Sequence, residues 1–314
     1  MIQSTRGKAA PPSNNRRGVA GWRSMIPPAA VLAVSLLLAS CAEPGDARSG
    51  REPLRLTQVA NDVSAAPEAK KSSPEISFAY ANRGGTALLA EAHLDAIAAA
   101  RLDSAICDDG RVITVKFAVM QAEAKGSTGR NDARNFNADA GARFAAVGGR
   151  VSPVCLLVRR DFLADKRILP ITRHTLAGAK RPCDPSLRDR IPSLEQRPLA
   201  ECTSVASIGT DAQLVAAVYE PHGDNLLAAL VVLTRTGIFI KPLPAPEGNW
   251  QADGDGDLHA EEIGPIFALA TADGAIEIAL DWPSTDGLGL QLYKTSSPGV
   301  LEEILTGYLY TAPQ

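Results

Sequence analysis

Ile276-Glu277-Ile278-Ala279-Leu280-Asp281-Trp282, then Asp286-Gly287, then Leu288-Gly289-Leu290-Gln291-Leu292-Tyr293 is the stretch that decides the fold class. Ile276, Ile278, Leu280 and Trp282 alternate with Glu277, Ala279 and Asp281, and Leu288, Leu290 and Leu292 alternate with Gly289, Gln291 and Tyr293. A period of two sends successive side chains to opposite faces of a strand. Asp-Gly between two such runs supplies the backbone conformation that a tight turn needs. The stretch therefore reads as two half-buried strands that turn back on each other.

Similar signals extend upstream. Leu214 to Tyr219, Leu226 to Leu233 and Gly237 to Lys241 are apolar β-type runs, separated by Pro221-His222-Gly223-Asp224-Asn225 and by Arg235-Thr236-Gly237. Short strands at this spacing, joined by Gly- and Asp-rich turns, predict an antiparallel sandwich or barrel. No internal repeat stands out, which disfavours a propeller. Before them, Val112 to Met120 alternates as a strand, Ala142 to Val147 and Arg150 to Val158 read as a hairpin about Gly148-Gly149, and Ile168 to Thr172 adds a further strand. Residues 121–141 are polar and read as a long loop. Thr86 to Leu102 carries Leu89, Leu94 and Ile97 on an Ala-rich background, which predicts one amphipathic helix capped by Thr86. The stretch 179–200, punctuated by Pro182, Pro185, Pro192 and Pro198, reads as a surface connection. Its Arg181, Arg188, Arg190 and Arg197 read as a solvated face, neutralised in part by Asp184, Asp189, Glu195 and Glu201. The expected fold is thus α+β and β-rich, mainly antiparallel strands in a sandwich or barrel-like arrangement, with one N-terminal helix in the globular part. The expected layout is an α+β subdomain over 76–180, a Pro/Arg-rich connection over 181–202 and an antiparallel β domain over 203–314.

The N-terminal segment carries a different message. Arg6, Lys8, Arg16, Arg17 and Arg23 precede an apolar run from Ile26 to Ala39, and Leu38-Ala39-Ser40-Cys41 closes it. The run is shorter than the roughly 20 residues needed to span a bilayer, and its basic, apolar, small-residue order is that of an export signal. Arg16-Arg17 lacks the bulky apolar residues expected after a twin-arginine pair. The closing tetrapeptide resembles the lipobox of bacterial lipoprotein precursors. That resemblance implies a signal peptide over 1–40, lipidation of Cys41 and a membrane anchored through acyl chains. Ala42, where Asp would retain the chain at the inner membrane, implies outer-membrane delivery. Residues 41–75 are poor in large apolar side chains and read as a disordered tether.

Removing 1–40 leaves about 270 residues, enough for one large domain or two small ones. The net charge of the whole chain is -3, and the leader removes basic residues but no acid, so the exported part is acidic. That excludes a nucleic-acid partner, which requires a basic surface. An aromatic content of 5% also disfavours a stacking platform for bases or sugars. Four cysteines follow the leader: Cys107, Cys155, Cys183 and Cys202. An even number in an exported chain reads as two disulfides. Three pairings are open; Cys183 with Cys202, which flank one loop-like segment, is preferred, leaving Cys107 with Cys155. No Cys-x-x-Cys or His spacing suits a metal bound through these thiols.

One stretch carries local chemistry. Gln251-Ala252-Asp253-Gly254-Asp255-Gly256-Asp257-Leu258-His259-Ala260-Glu261-Glu262 resembles the calcium loop of EF-hand proteins. The resemblance implies ligands from Asp253, Asp255, the Asp257 carbonyl and Glu262, with Gly256 at the sharp turn. Gln251 stands where that family has Asp, and Pro242, Pro244, Pro246 and Gly264-Pro265 disfavour the flanking helices. The competing reading is an acidic turn between strands, held by side-chain to backbone bonds. Calcium is the one cofactor these residues suggest.

Catalytic signatures are missing: there is no Gly-x-Ser-x-Gly, no His-Glu-x-x-His and no phosphate-cradling loop, and His93, His174, His222 and His259 are scattered. The leading functional expectation is a lipid-anchored envelope lipoprotein acting as a binding or structural module, with an envelope protein or glycan as partner. An envelope hydrolase or carbohydrate-active enzyme with an unrecognised site is the second reading, and a calcium-stabilised binding module the third. A calcium titration tests the last. Calcium at ten times its dissociation constant should add about 1.4 kcal/mol to stability. Asp255→Ala should abolish the resulting melting shift and Gln251→Asp enlarge it, whereas identical curves with calcium and with chelator would leave an acidic turn.

Overall fold

The computed structural model describes residues 75–90, 93–174, 179–245, 258–284, 286–296 and 299–311. The lipobox, the leader and the tether lie outside them. Among the described residues no helix is long and apolar enough to cross a membrane. The fold is β-rich, built from antiparallel strands with short helices.

Six strands close a first barrel: β1 (Ile76–Ala81), β2 (Ala87–Ala90), β3 (Ser104–Cys107), β4 (Val112–Gln121), β5 (Gly141–Val147) and β6 (Val154–Val158). Their order around it is β1-β2-β5-β4-β3-β6. A barrel of six strands has a narrow interior, and the sequence fits it with small side chains: Ala79, Ala81, Ala90, Ala105 and Ala142 point inward. Phe117 and Phe144 meet edge to face there, with ring centroids 5.8 Å apart. Cys107 and Cys155, directly opposite each other on β3 and β6, are joined by a disulfide inside this core.

Ten strands form the second sheet: β7 (Lys166–Leu169), β8 (Ile171–Arg173), β9 (Leu199–Ile208), β10 (Ala212–Tyr219), β11 (Leu226–Leu233), β12 (Ile238–Ala245), β13 (Gly264–Thr271), β14 (Ile276–Ser284), β15 (Gly287–Ser296) and β16 (Val300–Tyr310). The order is β7-β13-β14-β15-β16-β12-β11-β10-β9-β8. The two edge strands are consecutive in the chain, separated only by Pro170, so one bent segment holds both edges and the sheet curls round on itself. Every pairing is antiparallel except that of β12 with β16, which meet in parallel through the single pair Ile240 and Val300. The Ile240 N–H donates to the Gly299 carbonyl across this seam. Two and four residues on, Pro242 and Pro244 occupy the positions whose N–H would face the same way. Proline has no N–H to offer, so the pairing stops.

The curled sheet encloses its own core, which includes Val205, Leu214, Leu230, Ile278 and Leu280. Its outer surface is covered twice. Over β13 to β16, Ile266, Phe267, Leu269, Leu290 and Leu309 pack against the outward face of the first barrel, where Phe78, Tyr80, Ile106 and Leu156 stand. Over β10 and β11, Val215, Ala217, Leu227 and Val231 are covered by Leu187, Ile191 and Leu194. Double-sided burial is why Leu226 to Leu233 reads as an unbroken apolar run.

Three expectations are corrected. Thr86 to Leu102 is not one helix. Ala87–Ala90 is strand β2, fully paired between β1 and β5, and only Ala96–Arg101 (α1) is helical, with the Asp95 side chain accepting from the Ala98 N–H at 2.7 Å as its cap. Strand pairing on both sides outweighs the helix propensity of Ala and Leu, and Ile97 is 70% exposed. The Gly148-Gly149 stretch does not close a hairpin. β5 pairs with β2 and β4, β6 with β1 and β3, and the connecting backbone is held by Val151 N–H to the Gly85 carbonyl. Lastly, the solvated face holds for Arg181, Arg188 and Arg190, which are exposed, but not for Arg197, and the Pro- and Arg-rich stretch also covers the sheet. It contains a short helix, α2 (Pro185–Arg188), and is tied to β9 by the Cys183–Cys202 disulfide. Arg188 donates to the carbonyls of Leu199 and Ala200, Arg190 to that of Thr234, and Arg197, only 4% exposed, to that of Asn225.

The 121–141 stretch carries no strand or helix over residues 122–140, yet it binds both halves together. Asp139 accepts from the Tyr80 hydroxyl at 2.6 Å and from the Asn131 amide at 2.7 Å. Asn131 in turn bonds both backbone groups of Tyr310 on β16. Burial, reinforced by Asp139, pushes the Tyr80 phenol well above its ordinary range. Removing the carboxylate with Asp139→Ala strands the Tyr80 hydroxyl, the Asn131 amide and the Ala140 N–H and should cost about 2–3 kcal/mol. Tyr80→Phe should cost about 1 kcal/mol. Urea unfolding of the two variants checks the ranking; equal costs would mean that Asp139 is not shared.

Candidate functional site

Gln251, Asp253, Asp255 and Asp257 lie outside the described residues. Glu262 ends a short 3-10 turn and is exposed. Leu258, Ala260 and Ile263 beside it plug the inner core of the second sheet. Glu261 puts Oε1 3.4 Å from His259 Nδ1, and its Oε2 is buried with no hydrogen-bond partner among the described residues. Among those residues, no group of three His, Cys, Asp or Glu side chains is placed to hold a metal ion.

His174 sits just after β8, where its backbone N–H donates to the Val205 carbonyl. Its Nδ1 lies 2.8 Å from Ser204 Oγ and its Nε2 2.9 Å from Ser207 Oγ, and Ser207 also bonds Gln213. A bulge in β9 against β10 lets both serines face the same side. Burial first, and then the nearby Arg181, hold the His174 imidazole below its ordinary pKa. A neutral ring bonded at both nitrogens fastens the sheet edge. It also places a base within reach of the Ser207 hydroxyl, the third position being a hydroxyl rather than a carboxylate.

A well-built concavity lies at the open end of the curled second sheet. Its volume is about 760 Å³, inside the roughly 300–1,000 Å³ range of small-molecule pockets, which favour the mouths of β-barrels. Four separate turns make its rim: the segment leading into β7, and the β9–β10, β11–β12 and β13–β14 connections. The floor is apolar, from Leu169, Ile208, Ala212, Phe239, Ala270 and Ile276, all of which belong to or pack on the inner core. Lys166, Arg167, Thr210, Asp211, Arg235 and Thr271 stand around the rim. Lys166 is spoken for: its Nζ is 2.8 Å from Glu277, both side chains are nearly buried, and it lies over the Phe162 ring. Arg235 lies 3.5 Å from Asp211. A second, more open groove, lined by Arg101, Asp103, Arg159, Arg160 and Asp161, pairs Arg159 with Asp161 and Arg160 with Asp103.

None of the rim residues carries a local signal. They are ordinary turn residues whose nearness exists only once the sheet has curled. Asp281 was likewise unmarked. Its carboxylate lies over Gly264, where a Cβ would overlap it, so only glycine fits opposite. Burial pushes its pKa from 3.8 up to about 6; Arg173 opposes this and Asp108 adds to it. Because the folded-state value is raised, the stabilising contribution is complete below pH 3.8 and lost as pH climbs through 6. At neutral pH the ionised group costs on the order of 3 kcal/mol. Asp281→Asn should therefore raise the urea midpoint at pH 7.5 and lose that advantage by pH 4. An unchanged pH profile would show a solvated carboxylate.

Comparison of the chain with profiles of protein families, with curated protein sequences and with solved structures gives no match.

Proposed function

We propose that this chain is a lipid-anchored lipoprotein of the bacterial outer membrane that binds a small molecule in the mouth of its second barrel. The observation that carries the binding half is the rim-and-floor cavity itself: polar turns over an apolar base, at the end of a rigid sheet. Pockets of that composition let an apolar body leave water while rim groups fix its orientation. The anchoring half rests on Leu38-Ala39-Ser40-Cys41 behind its basic and apolar segment. Two disulfides support export, since such bonds persist in oxidising compartments. The first barrel and the 183–199 cover act as braces, keeping the walls of the binding barrel from flexing.

Two measurements test the two halves. Cys41→Ala in a bacterial host should abolish acyl labelling and leave an uncleaved or soluble product. Acyl labelling that persisted in the variant would remove the anchor from the proposal. For the cavity, the neutral dye N-phenyl-1-naphthylamine should brighten on binding the soluble Cys41→Ala chain. Adding Ala270→Trp, which projects an indole into the mouth from a half-buried position, should abolish the signal while the melting curve is retained. Should that variant melt early, Thr210→Trp at the exposed rim replaces it. Dye binding that survives both would place the ligand elsewhere.

A further inference from the structure

We propose that the barrel mouth selects an amphipathic monoanion, a carboxylate carried on an apolar chain, with Arg167 as the group that holds the carboxylate. The inference rests on the binding reading above and names its ligand class.

Register fixes where Arg167 points. On β7, Leu169 belongs to the inner core, and Arg167, two residues earlier, shares its face. Its cross-strand partner Ala270 also packs on the inner core. The guanidinium therefore stands on the inward side of the mouth, above the apolar floor. Lys166 projects the opposite way, to Glu277 on the outer surface.

Several other polar groups at the rim are already committed. Thr234 Oγ1 accepts from the N–H groups of Thr236 and Gly237, Thr271 Oγ1 donates within its own turn, and Thr295 Oγ1 accepts from the Ile276 N–H. Arg235 is beside Asp211. Among the described residues no carboxylate lies within ion-pair distance of Arg167. Arg167 thus offers the mouth an open planar fork of donors, the geometry that pairs with a carboxylate through two parallel bonds. Leu169, Ile208, Phe239 and Ile276 beneath it have no polar atom for a ligand's other end, which must then be hydrocarbon. Asp165 and Asp211 on the same lip repel a second negative charge, so a monoanion is favoured over a phosphate monoester.

The test displaces N-phenyl-1-naphthylamine from the full soluble Cys41→Ala chain with dodecanoate, with 1-dodecanol and with dodecyl phosphate. Dodecanoate should displace the dye at about tenfold lower concentration than the alcohol, the scale of one charge-assisted pair. It should also outcompete the phosphate, and its advantage should shrink as salt rises. Arg167→Gln should erase the preference and Arg167→Lys restore part of it. Equal displacement by acid and alcohol, or a preference that survives Arg167→Gln, would overturn the assignment while leaving a cavity that binds apolar molecules. Absence of dye binding in the parent chain would remove the cavity reading and this one together.

Discussion

The structure depends on one apolar layer, the seam where Phe78, Tyr80, Ile106 and Leu156 of the first barrel meet Phe267, Leu269, Leu290 and Leu309 of the second sheet. A six-stranded barrel with alanine at many interior positions buries less apolar area per residue and gains correspondingly less from closing alone. Its outward face supplies what its interior lacks. The second sheet has the converse problem: an antiparallel sheet that is apolar on both faces needs a cover on each side, and one cover is the barrel. Each unit thereby completes the other. The Asp139 network and the polar stretch around it close the seam at its margin with hydrogen bonds that fix register where the apolar contacts alone would permit sliding.

That arrangement also locates the cavity. The outer faces of the strands are occupied by the first barrel on one side and by the disulfide-fastened segment on the other. What stays open is the rim, where strands end and turns begin. Prolines 242 and 244 stop the β12–β16 pairing at one residue pair, so the curled sheet has a seam as well as a mouth. Lys241 spans that seam, 3.4 Å from Glu303, and helps hold the two strands in step beyond the backbone bond from Ile240 to Gly299.

Strands whose polar and apolar residues alternate were legible in the sequence. Ile276 to Trp282 and Leu288 to Tyr293 alternate and form β14 and β15, although both of their faces are covered. Doubly buried elements without alternation were less so. Gly264–Thr271 shows no alternation because Phe267 and Leu269 face the barrel while Ala268 faces the inner core. Ala87–Ala90 was hidden for the same reason, its residues being good helix formers with both faces covered. The 183–199 cover escaped because Leu187, Ile191 and Leu194 are few and spaced among Pro and Arg, a pattern shared by solvated connections. Arg197 reads as a surface charge until its carbonyl partner is brought beside it by the fold. The cavity was illegible in principle, being assembled from turns far apart in the chain.

The bent segment through Pro170 sets the order of folding. Leu169 pairs with Ala268, far along the chain, while Ile171, two residues on, pairs with Ile208. The second pairing is local enough to form early, but the first must wait until β13 exists. Loop closure over so long a separation is entropically slow, and topologies dominated by such contacts fold late. As the chain emerges from its N-terminus, β7 is therefore presented unpaired, with Ile168 and Leu169 in solvent, until nearly the whole sequence has appeared. The barrel is then latched by the C-terminal third of the molecule, so a truncated product would retain a sticky, unsealed edge rather than a smaller working protein.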